Sequence, residues 1–355
     1  MPAVSVIIPC FNLGEYLDEA VGSVLAQTYQ DFEILIVDDG STDLATRQLL
    51  EDYARPRTTV FRTPNRKLAA ARNFLVARAR GRYLCALDAD DKLHPEYLER
   101  TVAVLEAEPS VTFVSTHLQM FGEETAVWPS VARCDLPMLL CDDTIITAAL
   151  VRRDAVVACG AYDESMPHQG DEDWDLWTTL VENGYRGVIL PDVLFFYRRR
   201  PNSMCIQCTT GQVHLDLISY LAQKHAHSYR THLAEVLLWK DARLREARLA
   251  NDALETDIQR RLLATVERRQ QEVDLLRHKV EAATLDRAAR EAAVAAARLR
   301  EDLHRQRLEL DAVRAECGRA LAEIDAVRAS TSWRVTAPAR ALRRALRRVR
   351  GRSDQ

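Results

Sequence analysis

Four short apolar runs near the start of the chain limit its fold more than any other feature. They are "VSVII" (4–8), "FEILIV" (32–37), "TVFR" (59–62) and "YLCAL" (83–87). Each is followed by a stretch of helical periodicity, at 14–27, 43–53, 67–80 and 95–107. Strands alternating with helices predict an α/β domain with a largely parallel sheet. Runs that are apolar throughout, without alternation, suit strands covered on both faces. Sheets of this kind bind ligands beyond the carboxyl ends of their strands. The polar residues there read "PCFN", "DDGSTD" and "DADD", and the topology predicts that they gather along one rim.

Acids crowd that rim. In "VDDGSTD", Ser41 or Thr42 is expected to cap the next helix, with Asp43 complementing its dipole. Neither role accounts for Asp38 and Asp39, which are able to accept bonds from a nucleobase N–H and ribose hydroxyls. "DADD" supplies Asp88 and Asp90 one residue apart. Unpartnered, such carboxylates repel. Converging on one hard cation, Mg²⁺ or Mn²⁺, they would bind it and leave open positions for phosphate. Asp91 is expected to cap the helix near "HPEYLER", with Pro95 in its first turn. A later cluster, "GDEDWDLW" (170–177), reads either as an acid-rich helix start or as the source of a general base. Trp174 and Trp177 are expected in the core rather than on a sugar ring, and His168 as an exposed histidine.

Six segments in this order, "VSVIIPCFN", "VDDGSTD", "AAARN", "LDADDKLHPEYLE", "EDWDLW" and "YRRRPNSM", resemble family 2 glycosyltransferases of the GT-A fold over residues 3 to 205. The resemblance implies a nucleotide-sugar donor (UDP-linked is expected), a divalent metal, and single displacement with inversion at the anomeric carbon. It places Pro9, Phe11, Asn12, Asp38, Asp39, Lys67, Arg72, Asp88 and Arg198 around the donor. Asp88 and Asp90 become the D-x-D that meets ribose and metal-diphosphate, and Asp173 the catalytic base, with Glu172 as the neighbouring alternative. A metal on Asp90 would stabilise the leaving diphosphate, helped by Arg72 or Lys67. Two positions depart from the family pattern. "NRKLAAARN" lacks the glycine often found before "ARN", and "YRRRPNSMC" offers Arg198, Arg199 and Arg200 where many members have a histidine. Arginines suit direct phosphate contact.

A net charge of −4 gives no general signal for nucleic acid, and no specific nucleic-acid partner is expected. The start "MPAVSVIIPCFN" has no basic stretch ahead of its short apolar run, and no run reaches the ~18 apolar residues of a spanning helix. The expected location is therefore the cytoplasm, peripheral at the inner face of the cytoplasmic membrane. Eight scattered cysteines, with Cys205 and Cys208 as the one C-x-x-C, read as reduced thiols.

Composition changes near residue 232, from a region holding eleven of the twelve prolines to one rich in Ala, Arg, Glu and Leu. The expected division is a GT-A catalytic domain at 1–225, a long helical or coiled-coil segment at 232–329 and a basic amphipathic segment at 330–355. Val266, Val273, Val280 and Val294 keep a seven-residue series that Arg287 interrupts, with Leu276, Ala283 and Ala297 in the companion seam. A second register carries Leu303, Leu310, Cys317 and Ile324. Such heptads predict a coiled coil and a homodimer through it, or else a solvated single helix. Helical throughout, the tail would span on the order of 140 Å. Eight arginines and no acids occupy 333–352, with Val335, Leu342, Leu346 and Val349 at helical spacing and Trp333 at one edge. That pattern fits an anchor on an anionic membrane surface. "SWRVTAP" also resembles a C-terminal element of bacterial surface-polysaccharide glycosyltransferases, implying a glycan or lipid-linked acceptor. Two further readings stand beside the glycosyltransferase: a nucleotidyltransferase, and a coiled-coil scaffold with an inactive GT-A-like head.

Overall fold

The computed structural model describes residues 1–128, 133–201, 203–204, 208–209, 211–285 and 290–329. It divides into two compact units, Met1–Asp241 and Ala242–Gln355. The boundary falls inside a helix that begins at Leu233, past the composition change near 232.

The first unit opens with β1 (Val4–Cys10), α1 (Gly14–Leu25), β2 (Phe32–Asp39), α2 (Leu44–Glu51), β3 (Thr58–Thr63), α3 (Leu68–Val76) and β4 (Tyr83–Ala86). Every residue of β1, β2 and β4 is buried, as their unbroken apolar runs require. These strands pair in parallel, β3 to β2 to β1 to β4, with Ile8 opposite Ile36 and Val6 opposite Cys85. The chain continues through β5 (Lys92–Leu93), α4 (Tyr97–Ala107), β6 (Val111–Gly122), β7 (Val127–Trp128), α5 (Leu136–Leu139), β8 (Leu150–Arg152) and α6 (Arg153–Ala158). Then come α7 (Glu172–Glu182), β9 (Arg186–Arg199), α8 (Gly211–Lys224) and α9 (Ala226–Thr231). Beyond β4 the order runs β8, β6, β9, β5, with β7 on β6. β8 is antiparallel to both its neighbours, β6 and β9 run parallel, and β5 is antiparallel to β9. The sheet is thus mixed, parallel in the half the sequence announces.

Two caps differ from expectation. Asp43, not Ser41 or Thr42, is the N-cap of α2, its Oδ2 accepting the Thr46 N–H at 2.8 Å. Ser41 is drawn inward instead: its N–H donates to Asp38 and its Oγ accepts the Asn12 N–H. Asp91 does not cap α4, which starts after Glu96 with no side-chain cap. The pairing of β5 with β9 turns Asp91 inward, where it is 2 % exposed and accepts the Arg198 N–H at 2.8 Å. Trp177 packs on Phe113 at 5.2 Å between ring centroids, and Trp174 donates Nε1–H to the Leu139 carbonyl, so both are core residues. Cys10, Cys85, Cys134, Cys141, Cys159 and Cys317 are free thiols, whereas Cys205 lies outside the described residues.

The helices after β9 are fastened to α7 by charge. His225 is 3 % exposed and sets Nδ1 against Glu182 at 2.8 Å and Nε2 against Asp175 at 3.0 Å. Lys224 bonds Asp163 and Asp175 from the same end of α8. A ring with a carboxylate at each nitrogen is held as imidazolium.

The second unit contains most of α10 (Leu233–Leu285) and all of α11 (Arg290–Ala329). Arg269 pairs with Glu309 at 3.4 Å and Gln270 accepts from Arg314, so the two helices double back on each other. The less exposed side of α11 is Leu303, Gln306, Leu310, Val313 and Cys317, and on α10 it includes Val266, Arg269, Val273 and Leu276. The first register divides between the two helices, with Val266, Val273, Leu276, Val280 and Ala283 on α10 and Val294 and Ala297 on α11, which also carries the second register. That corrects the picture of one continuous rod. The basic segment around Trp333 lies outside the described residues.

Burial lowers the proton affinity of His225, but Asp175 and Glu182 outweigh it and raise the pKa from 6.5 to about 9. A raised folded-state pKa gives stability that is complete below about pH 6.5 and lost as pH climbs through 9. The effect is on the order of 3 kcal/mol. In urea denaturation, the advantage of the native chain over His225→Gln should be full at pH 6 and shrink steadily towards pH 10.

Candidate active site

The strand ends β1, β2 and β4 do meet, at a cleft of about 650 Å³. Pro9, Phe11, Asn12, Asp39, Lys67, Asp88 and Asp90 line it, as expected from the sequence. Phe11 keeps 42 % of its surface exposed, an apolar face at a polar rim. Asn12 adopts φ 56° and accepts the Thr42 and Asp43 N–H groups on Oδ1, clipping the "DDGSTD" loop to the end of β1. That loop turns at Gly40, φ 71°, where a Cβ would come within 2.4 Å of the Asn65 nitrogen. Only glycine permits both the conformation and the approach. Asp39 accepts the Arg66 N–H at 2.9 Å and the Thr63 hydroxyl at 3.2 Å, and burial raises its carboxyl above the usual range.

Three expected donor contacts are placed elsewhere. Asp38 is 6 % exposed and shapes the turn through Ser41. Arg72 is 1 % exposed and does not line the cleft: Nη1 bonds Glu172 and Nη2 bonds Asp88 at 2.8 Å, with the Tyr162 ring 5.3 Å from its guanidinium carbon. Asn73, next to it in "ARN", holds Tyr162 through a pair of bonds, Nδ2 to the carbonyl and Oδ1 from the N–H. Arg198 turns away from the cleft to Glu19, its Nε on the Asp90 carbonyl. Glu172 is 4 % exposed and committed to Arg72, which removes it as an alternative base. Burial raises the Glu172 carboxyl and Arg72 lowers it again, with a net upward shift.

Asp173, at the start of α7, is 9 % exposed. Its Oδ2 accepts the Thr147 hydroxyl and its Oδ1 the Trp174 N–H, which fixes the carboxylate plane. Asp171 just ahead has φ 60°, and burial followed by the Asp173 and Glu172 charges brings its carboxyl to about 7. His168 lines the cleft, bonded to Asp216 at 2.9 Å rather than standing alone. Thr147 carried no signal in the sequence, because its partner is 26 residues away in a segment without a motif.

Arg200 occupies the place first given to Arg198. It lines the cleft and sets Nε 2.6 Å from Asp90 Oδ2. Burial and then Asp88 raise the Asp90 carboxyl, against the pull of Arg200. Asp88 and Asp90 each have one oxygen on an arginine, and no group of three metal-ligating side chains occurs among the described residues. Two carboxylates fit a hard cation that draws its remaining ligands from diphosphate and water.

The glycosyl transferase family 2 model matches residues 5–163. TuaG of Bacillus subtilis, described as a candidate teichuronic acid biosynthesis glycosyltransferase, is 30% identical over 210 residues, covering 57% of this chain and 81% of its own. The chain belongs to glycosyltransferase family 2. EpsE of the same organism, described as a candidate glycosyltransferase, is 29% identical over 231 residues, 62% of this chain and 82% of its own. Among solved structures, S. aureus TarS 1-349 in complex with UDP-GlcNAc shares the fold with a TM-score of 0.54 and 20% identity. That likeness covers 67% of this glycosyltransferase and 72% of TarS. The GT-A fold and the enzyme class expected from the motifs both stand.

Truncating Arg72 in this glycosyltransferase strands two carboxylates, one of them fully enclosed. Arg72→Met should lower unfolding stability by about 3–5 kcal/mol, read from urea denaturation. A loss under 1 kcal/mol would mean that the pair contributes little.

Proposed function

We propose that this enzyme transfers a sugar from a nucleoside diphosphate donor to a glycan hydroxyl by single displacement, inverting the anomeric carbon. The observation that carries the reading is the convergence of Asp39, Asp88 and Asp90 on one cleft, with Arg72 tying Asp88 to the helix that bears Asp173. The exposed Phe11 ring offers the nucleobase a stacking face, and the Asp39 carboxylate on the cleft wall an acceptor for a base N–H. Asp88 receives ribose hydroxyls. Lys67 and Arg200, both on the cleft wall, face the diphosphate and offset the charge that grows as it leaves. Asp88 and Asp90 would hold Mg²⁺ or Mn²⁺, which supplies Lewis-acid stabilisation of the departing diphosphate. Asp173, oriented by Thr147, takes the proton from the acceptor hydroxyl as it attacks.

A UDP-linked donor is the first to test, since TarS was captured with UDP-GlcNAc. The teichuronic acid role in the name of TuaG supports a surface polysaccharide, glycan or lipid-linked, as acceptor. We place the enzyme at the inner face of the cytoplasmic membrane on the strength of the basic, periodically apolar sequence at 333–352. A homodimer through the tail remains part of this reading, on the strength of the seven-residue recurrence of its apolar residues.

Asp173→Asn should lower kcat by about 10²–10⁴-fold while donor affinity, measured by calorimetry, stays within a few-fold of native. Transfer at the native rate by the purified variant would overturn the assignment of the base.

A further inference from the structure

Asp90 already has a cation. We propose that the Arg200 guanidinium is the resident partner of this carboxylate, and that a divalent ion gains Asp90 only by displacing it. The inference rests on reading Asp88 and Asp90 as the ion site. The Arg200–Asp90 pair closes at 2.6 Å with side-chain exposures of 24% and 12%, so water screens it weakly. Among the described residues Arg200 has no other carboxylate partner, whereas Arg198 beside it goes to Glu19 and Arg199 to Glu124. The Tyr16 ring lies 5.5 Å from the Arg200 guanidinium carbon and 4.7 Å from that of Arg198, which gives the displaced side chain an aromatic surface to retain.

Charge balance around the rim leads to the same point. Asp88 has Arg72, Asp90 has Arg200, and Asp91 accepts the Arg198 N–H. A dication arriving alone adds charge to acids that are already partnered. Arriving with a diphosphate, it brings its own counter-charge and releases Arg200 towards the phosphate oxygens. Ion and nucleotide therefore bind with positive coupling, and each raises the affinity of the other by the same factor. Removing the guanidinium removes the competition and most of that coupling.

The test is titration of the full chain with Mn²⁺ alone, followed by electron paramagnetic resonance, for native protein, Arg200→Met and Arg200→Gln. Thermal melting checks that the variants fold, and the glutamine variant serves where methionine perturbs folding. Both variants should bind Mn²⁺ at least tenfold more tightly than native protein, and adding UDP should tighten Mn²⁺ binding more in native protein than in either. An Mn²⁺ affinity within twofold of native in the folded variants would overturn the proposal. Adding Asp90→Asn to Arg200→Met separates the two levels. Mn²⁺ affinity should then collapse; if it is unchanged, the ion sits elsewhere and the reading of the site fails along with the competition.

Discussion

The site depends on one buried guanidinium. Arg72 on α3 joins Asp88, 16 residues on, to Glu172, 100 residues on, and is 1 % exposed while doing so. A charge so enclosed is tolerated only when its partners are fixed. The two carboxylates hold it, and in turn it holds the loop after β4 against the start of α7. Burial lowers the proton affinity of Arg72, and Asp88 and Glu172 more than restore it, so the cation persists at any working pH. Since Asp173 follows Glu172 directly, the position of the proposed base relative to the rim acids is set through this contact.

Around that contact the rim acids are partnered in different ways. Asp38 and Asn12 build the turn, leaving Asp39 to face the cleft. Asp91 is drawn inside by the β5–β9 pairing, which also delivers Arg200 to Asp90. The long strand β9 thus links the D-x-D segment to the arginines that follow it. Alternation along β9 separates Arg199, which turns to Glu124, from Arg198 and Arg200; of these two, Arg198 pairs with Glu19 and only Arg200, one residue past the strand, lines the cleft.

Much of this was legible in the residues. Unbroken apolar runs located β1, β2 and β4, because strands buried on both faces leave that trace, and the acids at their ends marked the rim. The roles of individual acids were not legible. Ser41, Thr42 and Asp43 all have capping chemistry, and only the clip from Asn12 decides that Asp43 is the cap. Asp91 looked like a helix start because its β9 partner is 107 residues distant. Arg72 was expected at the nucleotide since its charge was visible and its burial was not. In the tail the heptads were correctly periodic. The first register runs on into α11, so its recurrence gave no sign of the hairpin, and periodicity alone does not say which helix a seam faces.

The most direct measurement is a crystal structure of the full chain with a UDP-sugar and Mn²⁺. The account predicts the uracil against Phe11 and Asp39, the ribose at Asp88, and the diphosphate between Lys67, Asp90 and Arg200, with the anomeric carbon facing Asp173. A nucleotide bound away from this cleft, or in it with the sugar turned from α7, would contradict the account.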